Sequence, residues 1–237
     1  MLELVHNHRK RISEGDDGMS NGIIVFGAGG HAKAVIDTIE RQGAYEIIGL
    51  LDGGKPVGEQ VYGYSVIGDE TWLADRNNQA GGAIAAIGDN WTRGLVVRGI
   101  SRIRPELPFV TAVHPAASVA RGARIGAGSV VMAGSVVGSD AEIGEHAVLY
   151  AGSCIEHDSR IGSFVSLAPK AATGGNAAIG DYTAVAIGAS IIHSVAIGEH
   201  CVIGAGSTVV RNIASHTVAY GTPARAVRSR TSGERYL

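Results

Sequence analysis

The sequence predicts an α/β domain followed by an all-β domain built as a parallel β-helix, and three observations carry this prediction. An aliphatic residue stands at nearly every sixth position from Val113 to Val209, a period typical of β-helices. Between Gly22 and Ile100, short apolar runs alternate with helix-like segments. The chain of 237 residues contains 35 Gly but only 5% aromatic residues, which suits tight corners around a narrow interior.

Charge and cysteine content exclude several classes of protein. The formal net charge is −2 at pH 7, and the longest block of basic residues is His8 to Arg11, so a basic surface for nucleic acid is not expected. Cys154 and Cys201 fit neither a disulfide framework nor a zinc finger. The sequence shows neither an apolar signal segment nor a membrane span. We therefore expect a cytoplasmic protein with small-molecule partners, no nucleic acid and no membrane insertion.

The first elements predicted from the sequence form a β-α-β unit. Residues 1–20 are polar and lack periodicity, so we expect a flexible N-terminal extension there. A strand over 23–26 is followed by a glycine-rich turn, and a second strand over 47–51 closes on Asp52. Between them, aliphatic residues fall at i, i+3, i+4 and i+7, one face of a helix that ends near Gly43: Ala32, Val35, Ile36 and Ile39.

A third predicted strand, 83–87, ends at Gly88 and precedes a helix-like segment. Strands that alternate with helices predict a Rossmann-like domain with a small parallel sheet over residues 21–110. The ligand crevice of such a sheet lies at the carboxyl ends of its strands. The sequence places there Gly27, Gly29, His31, Asp52 and Gly88.

The six-residue repeat predicts that residues 111–220 form the β-helix. Every sixth residue from 113 to 209 is aliphatic except Thr173, and the residue two before each is small or modest in size. Ile-Gly pairs recur every 18 residues, from Ile125-Gly126 to Ile197-Gly198. Three hexads therefore make one coil of a triangular prism, and residues 18 apart lie one above another at about 4.8 Å. Residues 221–237 are expected to form a C-terminal tail.

The repeats resemble those of the left-handed β-helix acyltransferases, and their combination with the Gly27–Lys33 loop is more specific. Together with the closing Gly221-Thr222-Pro223-Ala224-Arg225, this combination resembles the NeuD/PglD-type sugar acetyltransferases over residues 22–228. The resemblance implies a left-handed prism and a homotrimer that binds acetyl-CoA between neighbouring prisms. It also implies acetylation of a nucleotide-linked amino sugar.

The resemblance assigns the chemistry to Ile155-Glu156-His157-Asp158, with His157 as general base and Asp158 raising its basicity. Imidazole titrates near neutrality, which suits the removal of a proton from an attacking amine. The 18-residue period puts Gly175 one coil above His157, in the column Arg121, Ser139, His157, Gly175, His193 and Arg211. The family uses a backbone amide at the matching position, so the Gly175 N–H is expected to bind the thioester oxygen.

Binding residues follow by match to the family. The acetyl-CoA contacts implied are Ser166, Ile187 and Ala205, and the nucleotide-sugar contacts implied are Gly29, Gly30, His31, Asp52, Gly53 and Gly88. Glycines at the strand ends let phosphates approach a helix N-terminus. The chain departs from the pattern at Ser166, where many members have His, and at Tyr150, where many have Asn. These departures predict an altered interaction near the thioester.

We therefore expect an acetyl-CoA-dependent N-acetyltransferase that acts on the 4-amino group of a nucleotide-diphosphate-linked dideoxy amino sugar, for bacterial surface glycan synthesis. The same base would serve a sugar hydroxyl, as in sialic acid O-acetylation, and the sequence does not separate these acceptors. It also leaves the nucleotide open among UDP, dTDP and GDP. The roughly 90 residues before the repeat are too few for the two halves of a usual NAD site.

The residues also allow two other classes of protein to be compared with this one. A β-helix carbonic anhydrase would bind zinc through three His, and His157 and His193 have the spacing of two such ligands. The third would be expected five residues after the second, where the chain has Gly198, so no metal is expected. A scaffold protein without catalytic activity is disfavoured by the motif Ile155-Glu156-His157-Asp158 and by the glycine-rich Gly27–Lys33 loop. His146 and His200 occupy equivalent repeat positions and are interpreted as part of the repeat rather than of a site.

Overall fold

The computed structural model describes residues 21–75 and 77–236, so the extension expected over 1–20 lies outside the described residues. The first domain contains a five-stranded sheet, called here the mixed sheet, in the order β3-β4-β2-β1-β5. Its strands are parallel except for the antiparallel pair β3 and β4. The strands are β1 (Gly22–Phe26), β2 (Glu46–Leu51), β3 (Gln60–Val61), β4 (Tyr64–Gly68) and β5 (Gly82–Ala85).

Helices α1 (Gly30–Gln42) and α2 (Asn90–Ile103) accompany this sheet, and a 3₁₀ helix spans Glu70–Ala74. The aliphatic face predicted for α1 is fully buried. The helix ends where predicted, because Gly43 adopts a left-handed φ of 68° and its N–H donates to the Ile39 carbonyl at 3.0 Å. Strands β3 and β4 and the 3₁₀ helix were not predicted, since β3 has only two residues and the segment lacks clear periodicity.

The second domain is a triangular prism of short parallel strands, as the repeat predicts. One face is an eight-stranded sheet, a second is six-stranded and the third is five-stranded. The eight-stranded sheet contains β6 (Ala112–Val113), β9 (Val130–Val131), β12 (Val148–Leu149), β15 (Ser166–Leu167), β18 (Ala184–Val185), β21 (Val202–Ile203), β23 (Thr217–Gly221) and β24 (Ala224–Ser229). The six-stranded sheet contains β7 (Ser118–Val119), β10 (Val136–Val137), β13 (Cys154–Ile155), β16 (Ala172–Thr173), β19 (Ser190–Ile191) and β22 (Thr208–Val209). The five-stranded sheet contains β8 (Arg124–Ile125), β11 (Glu142–Ile143), β14 (Arg160–Ile161), β17 (Ala178–Ile179) and β20 (Ala196–Ile197).

Strand pairing confirms the 18-residue coil. Val137 pairs with Ile155, and Ile143 pairs with Ile161. Apart from the first coil, the aliphatic residues of the repeat fill the interior, and the small residues two positions earlier are also buried, as at Ala147 and Ala171. The prism core is therefore a stack of similar layers in which each side chain packs on the residues 18 before and after it.

Three corners join the faces of the prism, and each has its own column of turns. The His157 corner joins the six-stranded to the five-stranded sheet. The Ile187 corner joins the eight-stranded to the six-stranded sheet. The third, called the ring corner, joins the five-stranded to the eight-stranded sheet and carries His146, Phe164 and Tyr182.

Aromatic and imidazole rings stack along the ring corner. His146 lies on Phe164 with centroids 5.0 Å apart, Phe164 on Tyr182 at 4.7 Å, and Tyr182 on His200 at 4.9 Å, with His216 beyond. All five residues have a positive φ between 53° and 59°, so one backbone conformation repeats at each coil and points each ring in one direction. His146 and His200 thus belong to a column of stacked rings. The repeat pattern alone did not predict this column.

A buried arginine joins the two domains. Arg93 of α2 is fully buried, and its guanidinium donates to the carbonyls of His146 at 2.9 Å and Phe164 at 3.0 Å on the ring corner. It also donates to the Ile87 carbonyl at 2.8 Å and to the Asn90 side chain at 2.8 Å in its own domain. Because these bonds pair a fully buried guanidinium with acceptors in both domains, Arg93 fixes the orientation of one domain on the other.

Helix α1 adds an apolar contact between the domains. It lies against β6 and β9, and its buried residues form one hydrophobic cluster with Ala112, Val130, Met132 and Val148 of the eight-stranded sheet. In the described part of the chain, no helix is both long enough and apolar enough to cross a membrane.

The C-terminal segment differs from the expectation. Residues 221–237 were expected to form a tail, but β24 pairs antiparallel with β23 and extends the eight-stranded sheet at the end of the prism. The polar side chains of β24, as at Arg225 and Arg228, hid this strand because they lack the hexad pattern. The last described residues then fold back, so that Gly233 lies against Trp91 of α2.

We predict that Arg93→Leu destabilises the protein by at least about 3 kcal/mol, because it leaves the carbonyls of His146, Phe164 and Ile87 at the domain junction without this donor. Chemical denaturation followed by far-UV circular dichroism measures the change. The exposed Arg102 of the same helix provides the matched control, Arg102→Leu, which we expect to change the free energy of unfolding by less than about 0.5 kcal/mol. Equal stability of the two variants would contradict the assigned role of Arg93.

Candidate active site

The centre of the candidate active site is the His157–Asp158 pair at the His157 corner. The Nδ1 of His157 lies 2.7 Å from Oδ2 of Asp158, and both side chains are 62% exposed. This hydrogen bond, followed by the charges of Asp158 and Glu156, raises the pKa of His157 above its usual value. With the proton on Nδ1, Nε2 carries the free lone pair of the neutral ring.

Gly175 lies directly against that nitrogen. A side chain added at Gly175 would place its Cβ 2.5 Å from Nε2 of His157 and 2.6 Å from Cε1. The φ of Gly175 is not in the left-handed region, so the constraint on this residue is space and not backbone strain. Within residues 21–75 and 77–236, no acceptor takes the Gly175 N–H. The corner therefore brings a basic nitrogen next to an available backbone donor.

The structure explains why Thr173 interrupts the aliphatic repeat. It is buried, and its Oγ1 accepts a hydrogen bond from the Glu156 N–H at 3.2 Å. A second bond across the corner runs from the Asn176 N–H to the His157 carbonyl at 2.8 Å. These bonds hold the backbone on both sides of the His157 ring. The sequence marked Thr173 as an exception but did not give this role.

Asp158 has the backbone conformation that its corner requires. Its φ is 58°, and the residues stacked with it, Asp140, Asn176 and Ser194, have φ values of 58°, 55° and 56°. Asp and Asn tolerate the left-handed region better than most residues do. The position therefore favours Asp or Asn for backbone reasons, and the carboxylate adds the contact with His157.

A second group of predicted residues lines a cleft at the carboxyl ends of β1, β2 and β5. The cleft has a volume of about 360 Å³ and is lined by Gly27, Asp52 and Gly53 among others. Gly27 has a φ of 109°, and a Cβ there would lie 2.8 Å from the Ala86 carbonyl, so the fold itself requires glycine at this position. Asp52 closes the loop, because its carboxylate accepts the Ala28 N–H at 2.7 Å and the Gly54 N–H at 2.8 Å.

Gly29 and Gly30 differ from Gly27. Both are exposed, and an added Cβ would meet no atom within 4 Å at either position. They lie at the N-terminus of α1, where Gly29 is the N-cap and no side chain caps the helix. The packing of this chain therefore does not demand glycine here, whereas an anion on the helix N-terminus would need the open space.

His31 lies between the domains, next to Tyr150 and Gly88. Its ring centroid is 5.3 Å from that of Tyr150, and a Cβ on Gly88 would contact both side chains. Burial, and secondarily the charge of Arg93, lowers the pKa of His31 to about 4. Neither ring nitrogen has a hydrogen-bond partner within the described residues. His31 is therefore a neutral imidazole with unused donor and acceptor capacity.

The residues matched to acetyl-CoA contacts lie on two other parts of the prism. Ile187 and Ala205 are exposed and stack one coil apart at the Ile187 corner, where the Gly206 N–H donates to the Ile187 carbonyl at 2.8 Å. Ser166 lies in β15 and is only 6% exposed. The side chain of Tyr236 is close enough to Ser166 for the two hydroxyls to interact.

One chain thus presents its candidate residues in separate places. His157, Asp158 and Gly175 share one corner, Ile187 and Ala205 share another, and the strand-end residues belong to the first domain. As for a zinc site, no cluster of three His, Cys, Asp or Glu side chains was found in the part of the chain that the structure describes.

Comparison with known proteins relates this geometry to a family. The PglD N-terminal domain matches residues 22–100, and the bacterial transferase hexapeptide (six repeats) matches residues 122–157. A His-to-Ala variant of GDP-perosamine N-acetyl transferase from Caulobacter crescentus, solved with CoA and GDP-perosamine, superposes with a TM-score of 0.83. It is 32% identical, and the match covers 88% of this chain and 97% of that one. The chain belongs to the NeuD/PglD-type sugar acetyltransferases.

Other solved structures share this fold. The acetyltransferase domain of PglB from Neisseria gonorrhoeae FA1090, solved with acetyl coenzyme A, has 27% identity and a TM-score of 0.80, covering 88% of this chain and 100% of that one. WeeI from Acinetobacter baumannii AYE, at 23% identity, shares the fold with a TM-score of 0.79 over 86% and 99% of the chains. The comparison with curated proteins gives no significant match.

The family assignment confirms the predicted fold class, an α/β domain followed by a left-handed β-helix of hexapeptide repeats, and it makes the chain an acyltransferase. It also agrees with the sequence resemblance, since both parts of the chain match parts of such enzymes. The individual site residues remain predictions.

We predict that Gly175→Ala lowers kcat by about two orders of magnitude without unfolding the prism. The new methyl group would displace the His157 ring from its position, and small misplacements of a catalytic group are costly. Steady-state kinetics and the melting temperature check this. The control is His193→Ala, one coil above in the same column, which we expect to retain activity; its inactivity would favour the zinc alternative.

Proposed function

We propose that the protein transfers the acetyl group of acetyl-CoA to the 4-amino group of a nucleotide-diphosphate-linked amino sugar. The observation that carries this proposal is the His157 corner, where a basic Nε2 stands beside the free Gly175 N–H. The relative from Caulobacter crescentus is a GDP-perosamine N-acetyltransferase, and the PglB domain was solved with acetyl coenzyme A. These relatives support the same acyl donor and acceptor class here.

His157 is the general base in this reaction. As the sugar nitrogen attacks the thioester carbonyl carbon, a proton passes from that nitrogen to Nε2. Asp158 holds the proton on Nδ1 and stabilises the imidazolium that forms. The Gly175 N–H hydrogen-bonds the oxyanion of the tetrahedral intermediate. When the intermediate collapses, the C–S bond breaks and the imidazolium returns the proton to the sulfur, which releases CoA as a thiol.

The cleft at the carboxyl ends of β1, β2 and β5, called the strand-end cleft, holds the nucleotide part of the acceptor. We assign the diphosphate to the N-terminus of α1, where Gly29 and Gly30 leave space for it. Asp52 and Gly53 line the adjacent cleft. Gly88 and the neutral His31 face the junction with the prism, so they are placed to contact the sugar side of the acceptor.

The site is completed by a neighbouring copy of the chain in a homotrimer. The supporting observation is the separation of the candidate residues: the base lies at one corner of the prism, and Ile187 and Ala205 lie at another. Packing of one prism beside the next would bring the two corners together, with acetyl-CoA between them. We propose that this trimer acts in the cytoplasm, in the synthesis of a bacterial surface polysaccharide.

The acceptor class is tested with a panel of UDP-, dTDP- and GDP-linked 4-amino sugars incubated with acetyl-CoA. We expect thiol release and an acetylated amine, identified by mass spectrometry, with at least one of them. His157→Ala should reduce kcat by about two or more orders of magnitude, the usual contribution of a general base. Reaction with sialic acid and with none of the panel would instead establish O-acetylation, and a fully active His157→Ala would remove the base assignment.

The role of Asp158 predicts a change in pH dependence. Because its carboxylate raises the pKa of His157, Asp158→Asn should move that pKa down towards 6.5. The base is active when deprotonated, so the acidic limb of the kcat/KM profile should shift to lower pH. At the same time kcat should fall at pH 8, since the imidazolium loses its partner. Asn keeps the left-handed corner, and an unshifted acidic limb would contradict the pairing.

A further inference from the structure

The cleft beside the strand-end loop has features that point to one nucleobase. It lies between the 3₁₀ helix and α2, and its walls are mainly apolar, formed by Phe26, Leu51, Leu95 and Val96. Leu95 is 50% exposed although it is a large apolar residue. A flat, largely apolar ring would cover this surface, and the volume of about 360 Å³ is sufficient for a small ligand.

The charged side chains that line this cleft are both carboxylates. The two are Asp52 and Glu70. Both oxygens of Asp52 already accept backbone N–H groups of its own loop. Glu70 is exposed, and within the described residues it takes part in neither a hydrogen bond nor an ion pair. The cleft thus offers one carboxylate that is free to accept hydrogen bonds from a ligand.

The chemistry of the bases makes this carboxylate selective. Ionised carboxylates only accept hydrogen bonds, and they bind best to two adjacent donors. Guanine presents such a pair, N1–H and the 2-amino group, on its Watson–Crick edge. Uracil and thymine present a single N–H between two carbonyl oxygens, which would face the charge of Glu70 unfavourably. Cytosine and adenine offer a donor next to an acceptor and so satisfy one oxygen.

The position of the cleft agrees with a base-binding role. Gly27 lines the cleft and lies in the loop that precedes α1, and the Asp52 carboxylate, which also lines the cleft, accepts the Ala28 N–H of that loop, so a diphosphate on the N-terminus of α1 would lie at one end of the cleft. Glu70 begins the 3₁₀ helix that follows β4, and it lines the cleft together with Leu95 and Val96 of α2. A nucleoside diphosphate would therefore place its ribose near Asp52 and its base between Glu70 and α2.

We propose that Glu70 selects guanine, so that the acceptor is a GDP-linked amino sugar. This rests on the proposed function for the identity of the acceptor, but the binding of a nucleotide can be measured separately from acetyl transfer. Guanine stacks on the apolar wall formed by Leu95 and Val96, and its N1–H and 2-amino group donate to the two oxygens of Glu70. The residue determines specificity and takes no part in the chemical step.

Isothermal titration of the full chain with GDP, UDP, dTDP and CDP tests the proposal. We expect GDP to bind at least about tenfold more tightly than the others, the discrimination typical of a bidentate contact to a base. Glu70→Gln should weaken GDP binding about tenfold and strengthen UDP binding, because the amide keeps only one of the two acceptors for guanine while it removes the charge and supplies a donor for a uracil carbonyl oxygen. Glu46→Gln, at the opposite end of β2, is the matched control and should bind all four like the wild type.

Equal affinity for GDP and UDP, or a Glu70→Gln variant with unchanged selectivity, would overturn the assignment of Glu70. Selective GDP binding without acetyl transfer to any GDP-linked amino sugar would leave the guanine site in place and remove the proposed function. Acetyl transfer to a UDP-linked sugar alone would retain the function and overturn the guanine assignment. Melting temperatures of both variants show that the exposed substitutions leave the fold intact.

Discussion

The stacking of one coil on the next at an interval of 18 residues is the constraint on which the rest of this structure depends. It fixes the pairing of every prism strand from Ala112 to Val209, and it makes each corner a column in which a side chain stacks on its neighbours one coil away. The same rule produces the ring stack through His146 and Phe164 and the contact of His157 with Gly175. A structural column and the proposed catalytic pair thus arise from the same geometry, and they differ in the residue types at the corner.

Two contacts hold the first domain at a fixed position on the prism. Arg93 donates to the ring corner and to the strand ends of its own domain, and α1 packs on the eight-stranded sheet. The strand-end cleft is therefore held at a fixed position on the prism. Because His31 and Tyr150 contact each other across the same junction, an acceptor bound by the first domain would reach the prism surface without a large domain movement. The corners of one prism are also fixed relative to one another, so in the proposed homotrimer a neighbouring copy supplies the residues of the Ile187 corner.

The structural features that depend on local periodicity could be predicted from the sequence. Those that depend on contacts between distant segments could not. The periodicity of the sequence predicted the apolar face of α1, from Ala32 to Ile39, and the six-residue repeat of the prism. A count of 18 residues from His157 also placed Gly175 next to it correctly. The contact of Arg93 with the prism could not be predicted, because its partners there lie more than 50 residues away and are backbone carbonyls. The ring corner was visible in principle, since every eighteenth residue from His146 to His200 carries a ring, but His146 and His200 were interpreted as repeat residues. Strand β24 lacked the hexad pattern, and the burial of Ser166 near Tyr236 depends on how the last residues fold back.

The most direct test of acetyl transfer at the His157 corner is a crystal structure of the enzyme with CoA and a nucleotide-linked 4-amino sugar. We expect the acceptor nitrogen within about 3.2 Å of Nε2 of His157, the hydrogen-bond reach of a general base. The thiol of CoA should lie beside Gly175, with the nucleotide in the strand-end cleft. A sugar bound with its amine far from His157, or CoA bound away from this corner, would contradict the proposed mechanism.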